Sequence, residues 1–289
     1  MVKLRARRCY HRLSLRRQFV NSTIPRRIIQ TSKSSDLPLL SKAAVANIRL
    51  LNPDFEYLFF DDLQVEEFID TQFPEYRHVF DSFRIPIQRY DFFRYLAIYH
   101  FGGFYFDMDV FLASSLSELL NYSCVFPFEA LTINRFLRDE YGMDWEIGNY
   151  AFGAAAGHPF LRAIINNCIR AQNDVRWTEA MMRSIPRVFR EDFFVLNTTG
   201  PGLISRTLAE YQDSATQVKV LFPDDVCNQK YWNLFGKYGV HTLEGSWRDR
   251  KRILRRRLIA AWRSWVRKKM FKEARRLGGT RSLKFRRDE

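Results

Sequence analysis

Segments with strand-like and helix-like patterns alternate through residues 24–109, and this order constrains the fold more than any other feature of the chain. In chain order they are strand 24–31, helix 38–51, strand 55–60, helices 63–72 and 87–100, and strand 104–106. Strands that alternate with helices usually pair in parallel and are joined by helical crossovers. We therefore predict an α/β fold with a mostly parallel central sheet.

The second half of the chain is less regular. Residues 159–172 and 177–189 have helical spacing, and Val220–Phe222 is a candidate strand. Gly239–His241 is predicted to open a loop that closes on Ser246 and Trp247.

Charge divides the chain into three parts. The 289 residues carry a net charge of +14. Residues 1–33 contribute +10 and residues 248–289 contribute +14, which leaves −10 on the part between them. We therefore predict an N-terminal basic arm over residues 1–23, a globular domain over 24–247 and a basic helical tail over 248–289. Basic arms of this kind bind polyanions, either nucleic acid or an anionic membrane surface.

The tail has the spacing of an amphipathic helix. Its apolar positions include Leu254, Leu258, Trp262, Trp265 and Val266, and arginine and lysine occupy most of the others. A basic helix with tryptophan on its apolar side suits an anionic membrane surface. The alternative is a terminal helix that packs its apolar stripe against the domain. Nucleic acid is the less favoured partner, because no nucleic-acid-binding motif accompanies the charge.

Two aspartates, Asp107 and Asp109, follow the third predicted strand directly. Ligands of parallel sheets bind at the carboxyl ends of the strands. Two carboxylates at a turn there can share a divalent cation such as Mn²⁺ or Mg²⁺, which can also bind a diphosphate. Taken alone, the pattern fits a solvated acidic turn better than a metal site.

The preceding helix adds a second polar pair. Asp91 and Arg94 are three residues apart and share one helix face. They are either a surface ion pair or a carboxylate and a guanidinium directed together at sugar hydroxyls and phosphate.

The surrounding motif resembles that of a known family. Residues 89–109 read R-x-D-x-x-R-Y-x₆-G-G-x-Y-x-D-x-D, which resembles the DXD-containing sugar transferases of glycosyltransferase family 32. This family includes initiating α-1,6-mannosyltransferases and inositol-phosphorylceramide mannosyltransferases. Four further blocks are similar to family segments and occur in the family's order. They are 24–31, 149–160, Thr199–Pro201, and His241 with 245–247.

The resemblance implies a GT-A type, Rossmann-like domain. It further implies a metal-dependent, retaining transfer of a hexose from a nucleotide sugar, GDP-mannose or a UDP-hexose. The acceptor would be a glycan or a lipid-linked molecule. Mn²⁺ or Mg²⁺ would be the metal cofactor.

The resemblance also assigns roles to individual residues. Asp107, Asp109 and His241 would hold the metal. Asp91 and Arg94 would hold the hydroxyls of the donor sugar, and Asn149 would line the sugar or acceptor pocket. The remaining donor-binding positions that it implies are Gln30, Thr31, Arg89, Tyr95, Gly103, Ser246 and Trp247.

The compartment is predicted from what the sequence lacks. No stretch has the length of a transmembrane helix, and the N-terminus lacks the apolar core of a secretory signal. The four cysteines are far apart, which suits free thiols in a reducing compartment. We expect a cytoplasmic enzyme that is peripheral to a membrane. The alternatives are a non-catalytic polyanion-binding protein on a transferase-like body and a toxin-like protein glucosyltransferase.

Overall fold

The computed structural model describes residues 23–211, 217–243 and 253–276. Its strands are β1 Arg27–Thr31, β2 Glu56–Phe60, β3 Gly103–Phe106, β4 Val110–Leu112, β5 Cys124–Leu131, β6 Trp145–Ile147, β7 Ala151–Ala154, β8 Lys219–Leu221, β9 Leu234–Phe235 and β10 Gly239–His241. Its helices are α1 Leu39–Leu51, α2 Asp62–Gln72, α3 Arg77–Ser82, α4 Pro86–Phe101, α5 Arg135–Tyr141, α6 Pro159–Asn173, α7 Val175–Met182, α8 Arg190–Thr198, α9 Pro201–Glu210 and α10 Ile253–Arg276.

The central sheet has the strand order β2-β1-β3-β7-β5-β6, and β8 pairs with β5. β1 pairs in parallel with both β2 and β3, and β8 pairs in parallel with β5. β7 runs antiparallel to its neighbours β3 and β5, and β6 runs antiparallel to β5. Most strands therefore point the same way. This confirms the predicted α/β class with a mostly parallel sheet, as the GT-A resemblance implies.

The turn from α4 into β3 sets the position of the acidic motif. α4 ends at Phe101, and the following Gly102 and Gly103 have φ angles of +64° and +105°, which favour glycine. A Cβ atom on Gly103 would lie 2.6 Å from the carbonyl oxygen of Arg27, so β3 begins in close contact with β1. The buried strand then leads directly to Asp107.

A second, smaller sheet has the order β4-β10-β9. Its β10 pairs antiparallel with β4, with His241 opposite Val110. The prediction that Gly239–His241 opens a loop is therefore wrong. These residues form a strand because their backbone pairs with β4, which lies more than 120 positions earlier in the chain. A local sequence pattern does not indicate a pairing over that distance.

The predicted helix over 177–189 is also interrupted. α7 ends at Met182, and a separate 3₁₀ turn covers Arg187–Phe189. Pro186 lies between them and has no N–H with which to continue a helix. The first strand begins at Arg27, three residues after the predicted start at Ile24.

The tail helix α10 lies against the domain along one side. Ile259, Trp262 and Val266 pack on a cluster of buried side chains that includes Ile185 and Phe193. Leu254, Leu258 and Trp265 remain 72%, 55% and 62% exposed. The packing of α10 on the domain is therefore as the alternative interpretation of the tail describes, and the membrane-surface role of its exposed side stays a prediction. Among the described residues, no helix combines the length and apolarity that crossing a bilayer requires.

Candidate functional site

Asp107 and Asp109 occupy the turn between β3 and β4, beyond the carboxyl end of the parallel strands. The backbone N–H of Asp107 donates to the carbonyl of Tyr150 over 2.7 Å, and that of Val110 donates to the carbonyl of Asp107 over 3.2 Å. The strand-end position predicted for both aspartates is confirmed.

His241 meets these two aspartates across the smaller sheet. One ligand atom from each of Asp107, Asp109 and His241 lies within 4.8 Å of the others. Nε2 of His241 is 3.2 Å from Oδ1 of Asp109, and the ring stacks on Tyr150 with centroids 4.4 Å apart. Two carboxylates and an imidazole suit Mn²⁺ or Mg²⁺, which prefer oxygen ligands, with Mn²⁺ more tolerant of nitrogen.

The charges of this cluster favour a bound cation. Burial alone would lower the pKa of His241, but its hydrogen bond with Asp109 and the negative charges of Asp109 and Asp107 raise it. Burial raises the pKa of Asp107, against the attraction of Arg94. Extra positive charge is therefore stabilised at this point of the molecule.

Arg94 lies directly behind the acidic turn. Its guanidinium is 3.1 Å from Asp107 and 3.3 Å from Asp91, and it donates to the carbonyl of Asn149 over 2.9 Å. The side chains of Asp91 and Arg94 are each only 6% exposed, so they are not a surface ion pair. The ring of Tyr105 lies 4.6 Å from the guanidinium carbon, and its hydroxyl donates to Asp107 over 3.0 Å.

Asp91 connects three parts of the chain. It accepts hydrogen bonds from the Thr199 hydroxyl over 2.8 Å and from the Asn149 amide over 3.1 Å. The same amide donates to the Tyr95 hydroxyl over 3.0 Å, and that hydroxyl donates to the carbonyl of Thr199 over 2.7 Å. Burial raises the pKa of Asp91, whereas Arg94 and these hydrogen bonds lower it. Asp91 thus fixes the positions of Arg94 and Asn149.

Gln30 and Thr31 lie at the neighbouring strand end. Gln30 is fully buried, donates to the carbonyl of Asp107 over 3.3 Å and accepts from the Tyr57 hydroxyl over 3.0 Å. Thr31 donates to the carbonyl of Phe60 over 2.8 Å. Gln30 therefore holds the backbone of the acidic turn.

Two predicted residues lie away from this cluster. Arg89 donates to the carbonyl of Asp81 over 3.2 Å and lies over the ring of Phe80. Gly103 sits at the opposite end of β3 from Asp107, against β1. Ser246 and Trp247 lie outside the described residues.

Several contributors were not among the predicted site residues. Tyr105 and Thr199 lie inside the motifs, so those motifs could have indicated them. Tyr150 is next to Asn149, but its stacking on His241 depends on a distant strand. Glu129 on β5 has no local signal; its carboxylate lies against Gly148, where a Cβ atom would come within 2.6 Å of it.

Comparison with known proteins agrees with this chemistry. Residues 38–126 match the family described as the glycosyltransferase sugar-binding region containing a DXD motif. Inositol phosphoceramide mannosyltransferase 3 of Schizosaccharomyces pombe is 33% identical over 150 residues, which is 52% of this chain and 38% of that protein. The initiation-specific alpha-1,6-mannosyltransferase of Candida albicans is 26% identical over 197 residues, 63% of this chain and 49% of that protein. The predicted resemblance is confirmed.

The match covers only part of the curated relatives. The chain spans about 38% of the length of the first of them. Among solved structures, the PaToxG glycosyltransferase aligns with a TM-score of 0.44 at 13% identity, covering 66% of this chain and 70% of that one. The UDP-bound glycosyltransferase domain of the YGT toxin aligns with a TM-score of 0.38 at 10% identity, covering 65% and 77%.

Proposed function

We propose that this chain transfers a hexose from a nucleotide sugar to a lipid-linked or glycan acceptor, because residues 38–126 match the sugar-binding region containing a DXD motif. GDP-mannose is the first donor to test, since the curated relatives are named as mannosyltransferases. The observation that carries the proposal is the meeting of Asp107, Asp109 and His241 in front of Arg94.

The chain's own residues have distinct tasks in this proposal. Asp109 and His241 would hold Mn²⁺ or Mg²⁺ together with Asp107, whose orientation is fixed by Arg94 and Tyr105. The metal would supply positive charge for the nucleotide diphosphate. The Arg94 guanidinium, anchored on Asp91, adds fixed positive charge behind the same point.

The remaining donor contacts are proposed from the resemblance. Asn149 lines the sugar pocket, and Gln30 and Thr31 border the nucleotide. Transfer proceeds with retention of the anomeric configuration, which NMR of the product tests: the product of an α-linked donor keeps an α linkage. A β-linked product would contradict this part of the proposal.

The acceptor is proposed to be a phosphorylated polyol on a lipid. Its support is the name of two curated relatives, which are inositol phosphoceramide mannosyltransferases. A lipid acceptor requires the enzyme to work at a membrane surface, and we propose that α10 binds that surface. Exposed Leu254, Leu258 and Trp265 lie on one side of this basic helix.

Vesicle binding tests the membrane part. Trp265→Ala should weaken binding to vesicles of phosphatidylserine and phosphatidylcholine by about tenfold, because an exposed tryptophan inserts its ring at such an interface. Leu50→Ala removes an exposed apolar side chain from α1, 79% exposed, and is the control. Equal binding by wild type and Trp265→Ala would refute the peripheral membrane role.

The transferase proposal is tested by nucleotide release from a panel of UDP- and GDP-sugars, with Mn²⁺ and with EDTA. We expect release from one donor, lost with EDTA and reduced about a thousandfold in Asp109→Ala. Asp139→Ala on α5, where the side chain is 61% exposed, is the matched control and should behave as wild type. Wild-type release by Asp109→Ala would contradict the metal assignment. Absence of both metal binding and release would instead favour the non-catalytic polyanion-binding alternative.

A further inference from the structure

A cavity lies where the tail helix α10 meets the domain. Glu129 on β5 and Glu146 on β6 line it from the domain, and Arg263 and Arg267 line it from α10. None of these four residues was assigned a role by the sequence motifs.

One nitrogen of each arginine in this cavity lacks a hydrogen-bond partner among the described residues. Arg267 is only 8% exposed, and its guanidinium lies 4.3 Å from the centre of the Trp232 ring. Within the described part of the chain, Nε of Arg263 and Nε of Arg267 have no hydrogen-bond partner. A buried cationic donor without a partner is costly, so a ligand that accepts its hydrogen bonds is favoured.

Like charges add to this cost. Burial, followed by repulsion from Arg263, lowers the pKa of Arg267 to about 10, although Glu146 and Glu129 act in the opposite direction. Arg267 is still a cation at neutral pH. Two neighbouring guanidinium groups with donors to spare suit a phosphate group, which accepts forked hydrogen bonds.

The cavity adjoins the donor site through Glu129. The Glu129 carboxylate lies against Gly148, and its charge acts on Tyr150 and on His241. Tyr150 stacks on His241, which contacts Asp109. The charge of Glu129 therefore acts both on Arg267 in the cavity and on His241 at the proposed metal site.

The position of α10 is fixed by the domain. Arg255 forms a 2.7 Å ion pair with Asp192 on α8, and Trp262 packs against Phe189 and Phe193. These contacts hold the next turns of α10, with Arg263 and Arg267, over the cavity.

We propose that this cavity is the acceptor site, in which Arg263 and Arg267 bind the phosphate of a phosphorylated polyol and Glu129 accepts hydrogen bonds from its hydroxyls. The inference rests on the proposed transferase function, but binding to the cavity can be measured without turnover. The phosphate could belong to a lipid headgroup or to a free polyol phosphate, and the experiment distinguishes the two.

The test is calorimetric titration of the full chain with myo-inositol 1-phosphate, with myo-inositol and with inorganic phosphate. Arg263→Gln/Arg267→Gln should weaken binding of the phosphorylated polyol at least about tenfold. The control Arg257→Gln/Lys268→Gln removes the same charge from exposed positions of α10 and should bind as wild type. Myo-inositol alone should bind more weakly than its phosphate.

Vesicles of phosphatidylcholine with and without phosphatidylinositol supply the second arm. If only vesicles with phosphatidylinositol bind, and Arg263→Gln/Arg267→Gln weakens that binding, the cavity binds the phosphate of a lipid headgroup. If soluble myo-inositol 1-phosphate binds and the same variant weakens it, the cavity binds a free polyol phosphate. The proposal would be overturned if Arg263→Gln/Arg267→Gln and the control variant lost the same affinity for the polyol phosphate. It would also be overturned if inorganic phosphate bound as tightly as the polyol phosphate. Pocket-dependent binding without nucleotide release would support the site and refute the transferase.

Folding is checked separately. Arg263 is only half buried, so Arg263→Gln carries the test if the double variant does not fold. Arg267→Lys keeps the charge but loses the forked donors, and it should bind the phosphate more weakly than wild type. Undiminished binding by both single variants would overturn the proposal.

Discussion

The polar cluster at the end of β3 and the cavity beneath α10 each contain a buried arginine, but the two arginines differ in how their charge is paired. Arg94 lies 3.1–3.3 Å from two carboxylates, and Asp91 behind it accepts bonds from Thr199 and Asn149. Arg267 has a ring contact and an unpartnered Nε among the residues described. The first arrangement is largely complete within the chain, whereas the second is completed by a ligand.

Replacing Arg94 should lower the free energy of unfolding far more than replacing Arg267. Arg94→Met leaves Asp91 buried without its cation, and loss of one partner of a buried pair costs about 3–5 kcal/mol. Arg267→Met removes a buried cation whose Nε has no partner among the described residues, so it should leave the free energy of unfolding within about 1 kcal/mol of wild type. Denaturant unfolding of both variants measures the difference. Equal losses would remove the contrast between the two regions.

The two sides of α10 should contribute differently to its docking on the domain. Trp262 packs on Phe189 and Phe193, so Trp262→Ala should destabilise the docking of α10 by about 1–3 kcal/mol. Trp265, 62% exposed, is the matched control on the same helix, and its replacement by alanine should stay within about 0.5 kcal/mol. Protease cleavage rates within α10 report the docking. A faster rate for Trp265→Ala than for Trp262→Ala would contradict the docking described here.

The smallest predicted change is a shift in the pKa of His241. Its pKa is raised in the folded chain despite burial, chiefly through Asp109, so the protonated form stabilises the fold. That stabilisation is fully present below the unfolded pKa of about 6.5 and is lost as pH rises through the raised value. Asp109→Asn should lower the pKa of His241, measured by NMR without metal. An unchanged pKa would show that Asp109 does not hold the imidazole.

The part of the fold that sequence predicts best is the part built from local patterns. The order of β1, α1, β2, α4 and β3 follows from apolar spacing and from the Gly102-Gly103 break, and it places Asp107 and Asp109 at a strand end. The class of the sheet follows from that order alone.

Long-range contacts could not be predicted in this way. The hydrogen bond between Thr199 and Asp91 joins positions 108 residues apart, and His241 reaches Asp109 only because β10 pairs with β4. The resemblance suggested His241 for the metal, but the local pattern indicated a loop there. The role of Arg267 depends on how α10 docks, which helical spacing alone leaves open.

Direct titration with Mn²⁺ tests whether the end of β3 is a metal-dependent donor site. In the presence of GDP or UDP, the full chain should bind one Mn²⁺, and Asp109→Asn should bind it at least about tenfold more weakly, while Asp139→Asn should match wild type. Equal Mn²⁺ affinity in wild type and Asp109→Asn would show that Asp109 does not hold the metal.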